Sequence, residues 1–302
     1  MSAVAIFSTN SLATAAQELN FSYPPDMGSA EAHVYKTVDN VDLQVWIFTP
    51  PDHRSTDKRP AVVFFYGGGF RIGTPEQFRK HCEYFSGRGM VAFAVDYRVS
   101  SRHQTGPDAS LLDAKSAMRW VRMHAEDLGV DATRIAAAGG SAGGLLAVGT
   151  ATILDMNSAL DDTTISASPN ALLLLNPNVI LAPVPGIVSE ALTRELDELQ
   201  ERYPFPLEPF SPYHHIQQEM CPTLIMHGIA DTQVPFVSVE LFTKKMRELG
   251  NRCDLYGYPG AGHGFFNYGL YENTYYTDTL LKMDAFLVSL GYLTPLPETK
   301  DY

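Results

Sequence analysis

The sequence predicts an α/β protein, a three-layer sandwich with a mostly parallel sheet between helices. Three observations carry that expectation. Two β-type runs, residues 33–38 and 42–48, flank the turn Asp39-Asn40 and read as an antiparallel hairpin. Beyond them, short apolar runs alternate with longer stretches of helical period. Those runs are continuously apolar rather than alternating, as strands covered on both faces should be.

Taken in order, residues 1–30 are small and polar, with Pro24-Pro25 near their end, and read as an N-terminal arm or partial cap. Residues 31–302 then read as one domain. In the hairpin, Leu43, Val45 and Ile47 alternate at the strand period. Further strands are expected at 61–65, 91–95, 134–138, 171–175, 222–226 and 254–258. A helix over 110–128 is capped by Ser110, with Ala114, Ala117, Val121 and Leu128 on one face and Gly129 past its end. Helices over 236–249 and 273–290 stop at Gly250 and Gly291. The connection over residues 178–221 is abnormally long and proline-rich, with a helical piece at 189–202. It reads as a cap inserted over a site.

Composition narrows the class of function. Of 302 residues, 45% are hydrophobic and 19% charged, enough apolar matter for a sizeable core. The formal charge of −12 argues against nucleic acid or an anionic membrane as the partner, since both need a basic face. No apolar run approaches the ~20 residues of a membrane span. Cys82, Cys221 and Cys253 are too few and too scattered for a disulfide framework or a structural zinc site, and read as small buried hydrophobes. The first basic residue is Lys36, so a secretory leader lacks its basic start. A cytoplasmic location is expected, the alternative being a periplasmic or secreted protein with a trimmed signal ending near Ala13-Thr14-Ala15.

Four segments carry chemistry. Gly139-Gly140-Ser141-Ala142-Gly143 follows an apolar strand and enters a helix-forming stretch, the setting of a serine on a sharp strand-to-helix turn. Tyr66-Gly67-Gly68-Gly69-Phe70 follows another strand, and its backbone N–H groups can face a developing oxyanion. It fails as a dinucleotide fingerprint, because Ile72 stands where the third glycine belongs. Asp231 and His263 each lie in a loop just beyond a strand. A serine hydroxyl needs a base and the base needs an orienting carboxylate, so Ser141, Asp231 and His263 in that order are the candidate catalytic residues.

With these residues in view, the sequence resembles the hormone-sensitive-lipase-like group of α/β-hydrolase esterases, near bacterial acetyl-esterase and carbohydrate-esterase relatives. The matching segments are residues 66–70, Asp96-Tyr97-Arg98, residues 113–144, 227–235 and 260–266. The resemblance implies an α/β-hydrolase fold with an eight-stranded sheet, strand two antiparallel, and a small cap. It implies Ser141 as nucleophile, His263 as general base and acid, and Asp231 as orienting carboxylate. The oxyanion hole would be the N–H groups of Gly68, Gly69 and Ala142. Two departures touch substrate range. The family usually begins its glycine loop with His, here Tyr66, and often has an acidic residue where Gly140 stands.

The expected activity is cofactor-free hydrolysis of short-chain carboxylic esters through an acyl-enzyme, with acetylated or feruloylated carbohydrates as candidate substrates. A peptidase or amidase of the same fold and a non-catalytic ligand receptor are the alternatives. Candidate pocket residues are Tyr66, Phe70, Tyr213, His214 and Phe265. Adjacent His214-His215 lack a matching ligand set, so no metal is expected. The expected partner is a small-molecule ester, with a homodimer left open. Asp96-Tyr97-Arg98 reads as a brace for the loop after the fourth strand, His103 and His124 as surface residues, and Trp46 and Trp120 as packing.

Overall fold

The computed structural model describes residues 22–297. The Ala13-Thr14-Ala15 triplet and most of the expected arm lie outside the described residues. One eight-stranded sheet runs in the order β1-β2-β4-β3-β5-β6-β7-β8. Its strands are β1 Glu31–Val38, β2 Val41–Phe48, β3 Arg59–Phe65, β4 Val91–Val95, β5 Val130–Gly140, β6 Ala171–Leu175, β7 Thr223–Gly228 and β8 Cys253–Tyr258. Strand β2 pairs antiparallel with both β1 and β4, and every later pairing is parallel. Asp39 and Asn40 both take positive φ (51° and 62°), the geometry of a two-residue hairpin turn whose twist matches its strands.

The helices are α1 Arg79–Gly87, α2 Ser100–His103, α3 Pro107–Met123, α4 Ala142–Thr152, α5 Glu190–Arg202, α6 Phe236–Glu248 and α7 Thr274–Ser289. Right-handed crossovers place them. The step from β3 to β4 runs one way along the sheet and the step from β4 to β5 the other, so α1 and α3 cover opposite faces. Helix α4 packs on α3, and α7 joins α1, where Arg88 pairs with Asp284. The apolar runs are as buried as their composition demands: every residue of β4 and β6 is buried. Trp46 is buried, Trp120 half-buried, and His103 and His124 are half-buried rather than exposed.

Three elements differ from the sequence expectation. Helix α3 ends at Met123, five residues short of the expected Leu128, and begins at Pro107, not Ser110, because proline suits the first helical position and lacks only an N–H that would be unpaired there. Ser110 is interior instead, its hydroxyl donating to the Arg98 carbonyl at 2.7 Å. Strand β5 starts four residues early, at Val130, with an irregular step in its register with β3 between Val130 and Ile135. Helix α1 was not anticipated; its polar sequence hides a narrow buried seam of His81, Cys82 and Phe85. Cys82, Cys221 and Cys253 are unbonded, and burial pushes the Cys253 thiol up to about 11.

Register fixes where the loops emerge. Phe65 pairs with Gly139, Gly140 with Leu175, Leu175 with Met226, and Gly228 with Tyr258. The carboxyl ends of five neighbouring parallel strands therefore finish level, and the glycine loop, Ser141, Asn176, Asp231 and His263 all leave from that one edge. Open α/β sheets bind ligands at this edge.

Candidate active site

Ser141 joins β5 to α4 with φ 54° and ψ −121°, a left-handed conformation strained for a residue with a side chain. Its neighbours must be glycine for lack of room. A Cβ on Gly139 would sit 2.3 Å from the Gly143 carbonyl oxygen, and one on Gly143 would sit 2.0 Å from the Phe65 oxygen. The tight turn exposes the hydroxyl above the sheet.

The three candidate catalytic residues meet. The Ser141 hydroxyl donates to His263 Nε2 at 2.8 Å, and His263 Nδ1 donates to Asp231 Oδ2 at 2.7 Å. The Asp231 side chain is fully buried and that of His263 is 14% exposed. The other Asp231 oxygen accepts the N–H groups of Gln233 and Val234, both at 2.9 Å. His227, buried at the end of β7, donates from Nε2 to the Val234 carbonyl at 2.8 Å and lies 3.3 Å from Asp231 Oδ2. Burial acts to raise the Asp231 carboxyl. Hydrogen bonds from His227 and His263, the His263 charge and the Val234 N–H outweigh it and hold the group well below the usual carboxylate range.

The glycine loop is shaped for donors. Gly68 (φ 132°) and Gly69 (φ 61°) take positive φ, and a Cβ on Gly68 would lie 2.1 Å from the Ile72 oxygen. Gly67 N–H is bound by Gln77 Oε1 at 2.7 Å. The N–H groups of Gly68 and Gly69 have no hydrogen-bond partner among the described residues. Ala142 opens α4, so its N–H has no partner within the helix. All three residues line one cavity of about 470 Å³ together with Ser141 and His263.

Behind the loop, Tyr66 is fully buried and stacked on Tyr97 with ring centroids 4.1 Å apart. Its hydroxyl donates to Asp96 Oδ1 at 2.9 Å and accepts from Arg102 at 2.8 Å. Tyr97 returns a bond to the Tyr66 carbonyl at 2.6 Å. Asp96 and Tyr97 thus brace the glycine loop, while Arg98 pairs with buried Asp113. From the described end of the arm, Tyr23 stacks over Arg102 at 4.1 Å and donates to Asp96.

Of the expected pocket residues, only Phe70 lines the cavity. Tyr66 is turned away into the brace just described. Tyr213 packs under Lys245, 4.5 Å from its ring. His214 is bound to Ser211 and the Pro183 carbonyl. Phe265 is buried against Tyr258 and Tyr275, and its neighbour Phe266 faces the cavity in its place. Phe266 also explains Gly140: a Cβ there would meet its ring at 2.4 Å.

Sequence reasoning missed several contributors. Gln77 holds the glycine loop and bonds Asn267 at 2.9 Å. Asn176, at the end of β6, accepts the Gly264 N–H at 3.2 Å beside His263. Helix α5 supplies Glu195, Glu198, Leu199 and Arg202 to the cavity wall, and Tyr203 just after it donates to the Gly69 carbonyl at 2.9 Å. The one available signal was the length of the insertion itself. Among the described residues, no group of three or more His, Cys, Asp and Glu could hold a metal, and no helix is long and apolar enough to cross a membrane.

A fold of this topology with a nucleophile turn, a facing histidine and a glycine loop defines an α/β hydrolase, and the comparisons agree. The family model described as alpha/beta hydrolase fold matches residues 62–267, and the chain belongs to that family. Thermogutta terrifontis esterase 2 in its native form superposes with TM-score 0.86 at 48% identity, covering 92% of this chain and 98% of that one. Its propionate-bound form gives 0.85 at 49% identity, covering 91% and 100%. Among curated relatives, esterase LipC of Mycobacterium tuberculosis is 28% identical over 219 residues, 70% of this chain and 54% of that protein. Carboxylesterase NlhH of the same species is 37% identical over 107 residues, 34% and 31%. The matched stretches thus span from just under a third to just over half of those curated relatives.

Proposed function

We propose that the protein is a serine carboxylic ester hydrolase acting on short-chain acyl esters. The observation that carries this reading is the unbroken hydrogen-bonded chain from Ser141 through His263 to Asp231, opening into a cavity lined by unpaired backbone N–H groups. Ser141 Oγ attacks the ester carbonyl carbon as His263 Nε2 takes its proton, and Asp231 stabilises the imidazolium. The oxyanion is met by the N–H groups of Gly68, Gly69 and Ala142, each donor contributing about 3–4 kcal/mol in enzymes of this kind. His263 then protonates the departing alcohol. Water, deprotonated by the same nitrogen, attacks the acyl-enzyme and releases the carboxylic acid.

Two facts support short acyl groups. The cavity is about 470 Å³, and the charged Glu195, Glu198, Arg71 and Arg202 interrupt its apolar lining, which leaves a long acyl chain no continuous apolar track. The related Thermogutta esterase has structures described as propionate-bound and butyrate-bound. The test is hydrolysis of p-nitrophenyl acetate by the wild type and by Ser141→Ala. Wild-type turnover with a pre-steady-state burst is expected, and a loss on the order of 10⁶ in kcat for the variant. A variant retaining more than a few per cent of the activity overturns the assignment of Ser141.

A further inference from the structure

Glu195 lies on α5 and lines the cavity that holds Ser141 and His263. It is 6% exposed, and apart from the adjacent Asn178 side chain neither carboxyl oxygen has a hydrogen-bond partner. Asn178 lines the same wall, and its buried Oδ1 is also unpartnered. Buried polar atoms are rarely left unpaired, and orphans gathered in one cavity point to a ligand that completes them. Burial, with the charges of Asp231 and Glu198 adding to it and the Asn178 side chain opposing it, pushes the Glu195 carboxyl up to about 8. At neutral pH the side chain is the neutral acid, with one O–H to donate and an oxygen to accept.

We propose that Glu195 is a specificity-determining residue: with Asn178 it hydrogen-bonds a free hydroxyl group of the substrate, so that hydroxylated esters are preferred over their plain counterparts. The surrounding chemistry selects that group. A cation would face Arg71 and Arg202, against the carboxylates of Glu198 on the wall and Asp231 behind it. An anion offers no donor for Asn178 Oδ1. A neutral hydroxyl both donates and accepts, matching an acid and an amide oxygen side by side. A site built to bond a hydroxyl rejects the analogue lacking it, because its own buried groups are then left unpaired.

This inference rests on the esterase reading, and its test separates the two. Two matched pairs place the hydroxyl on either side of the ester: glycerol 1-monoacetate against propyl acetate, and ethyl 3-hydroxybutyrate against ethyl butyrate. The wild type is expected to favour the hydroxylated member of one pair by about tenfold in kcat/KM, the worth of a good buried hydrogen bond, and the responding pair locates the hydroxyl. Glu195→Met should bring that ratio near parity, while Glu195→Gln, which still donates and accepts, keeps most of it. Asn178→Leu is the second variant and should lower the same ratio should Glu195→Met fold poorly. A purely structural role would depress both members alike; an unchanged ratio in the folded variants overturns the inference. Parity in both pairs for a wild type that turns over p-nitrophenyl acetate overturns it alone, whereas no turnover of that ester overturns the esterase reading and this one with it.

Discussion

Tyr66 replaces the histidine usual at the head of such a glycine loop, and its hydroxyl meets Asp96, Arg102 and the Tyr97 carbonyl rather than substrate. Tyr66→Phe leaves the ring stack on Tyr97 and removes only the hydroxyl, stranding part of the bonding capacity of Asp96. Stability should fall by about 1–3 kcal/mol. Because the loop donors act mainly in the transition state, kcat should fall more than KM rises; steady-state kinetics with a nitrophenyl ester reads the split, and equal kcat in the two proteins would reduce Tyr66 to packing. Glu195 makes a second prediction at this scale. Its folded carboxyl titrates at about 8 against an ordinary value of 4.5, so the native state holds a proton that the unfolded chain has lost between those values. Stability therefore falls as pH rises through that window. Glu195→Gln removes the titration, so its stability advantage over the wild type should grow from pH 5 to pH 8 by an amount on the order of a few kcal/mol, read as a widening gap in Tm. A difference in Tm that stays constant across that range would mean that the carboxyl is ionised in the native protein.

At the scale of elements, the insertion between β6 and β7 matters most. Helix α5 is opened by Ser189, whose hydroxyl oxygen accepts the Leu192 N–H, and it turns Leu192, Glu195 and Leu199 inward. That spacing, three and then four residues, is one helix face. Its exit is pinned by Tyr203, bonded to the Gly69 carbonyl on the loop that carries the oxyanion donors. The cap and the donor loop are thus mechanically joined. Tyr203→Phe should lower kcat several-fold through a looser Gly69, with a smaller change in KM, and should leave the far-sheet packing and hence Tm nearly unchanged. A rise in KM alone would instead make Tyr203 a wall of the pocket. In the same way, the turn of α4 off β5 depends on close approach: Gly139 admits no Cβ because the Gly143 backbone lies against it, and Gly143 none because the end of β3 does.

For the molecule as a whole, the level carboxyl edge of the parallel strands gathers loops from five places in the chain over a cavity of about 470 Å³. Its charged rim and the net charge of −12 both disfavour adsorption to an anionic lipid surface. Among p-nitrophenyl esters, kcat/KM should peak between acetyl and butyryl and decline beyond about hexanoyl, where added methylenes find no further apolar wall at about 0.8 kcal/mol each. A maximum at decanoyl or longer, or activation at an oil–water interface, would move the protein to the lipases.

Much of this was legible in the sequence because it is local. The hairpin turn Asp39-Asn40, the buried strands, the serine between its glycines, and Asp231 and His263 each just past a strand are patterns of a few adjacent residues whose backbone demands are the same in any context. What neighbours decide was not legible. Phe265 and Phe266 are identical, equally buried side chains in adjacent positions, and only the folded chain around them decides that Phe266 and not Phe265 borders the cavity. Tyr66 looks like a pocket residue until Tyr97 and Arg102, distant along the chain, claim both its ring and its hydroxyl. Ser110 reads as a cap until Pro107 starts the helix earlier. Glu195 is one acid among several on a polar helix; its burial, its missing partners and its altered acidity exist only because the connection folds back over the sheet. The sequence by itself determined the strand order's raw material and the three residues of the candidate catalytic chain, since local backbone geometry is encoded locally. Tertiary structure alone decided the walls of the pocket and the state of the groups in it, since solvation and hydrogen bonding depend on atoms that sequence distance does not bring together.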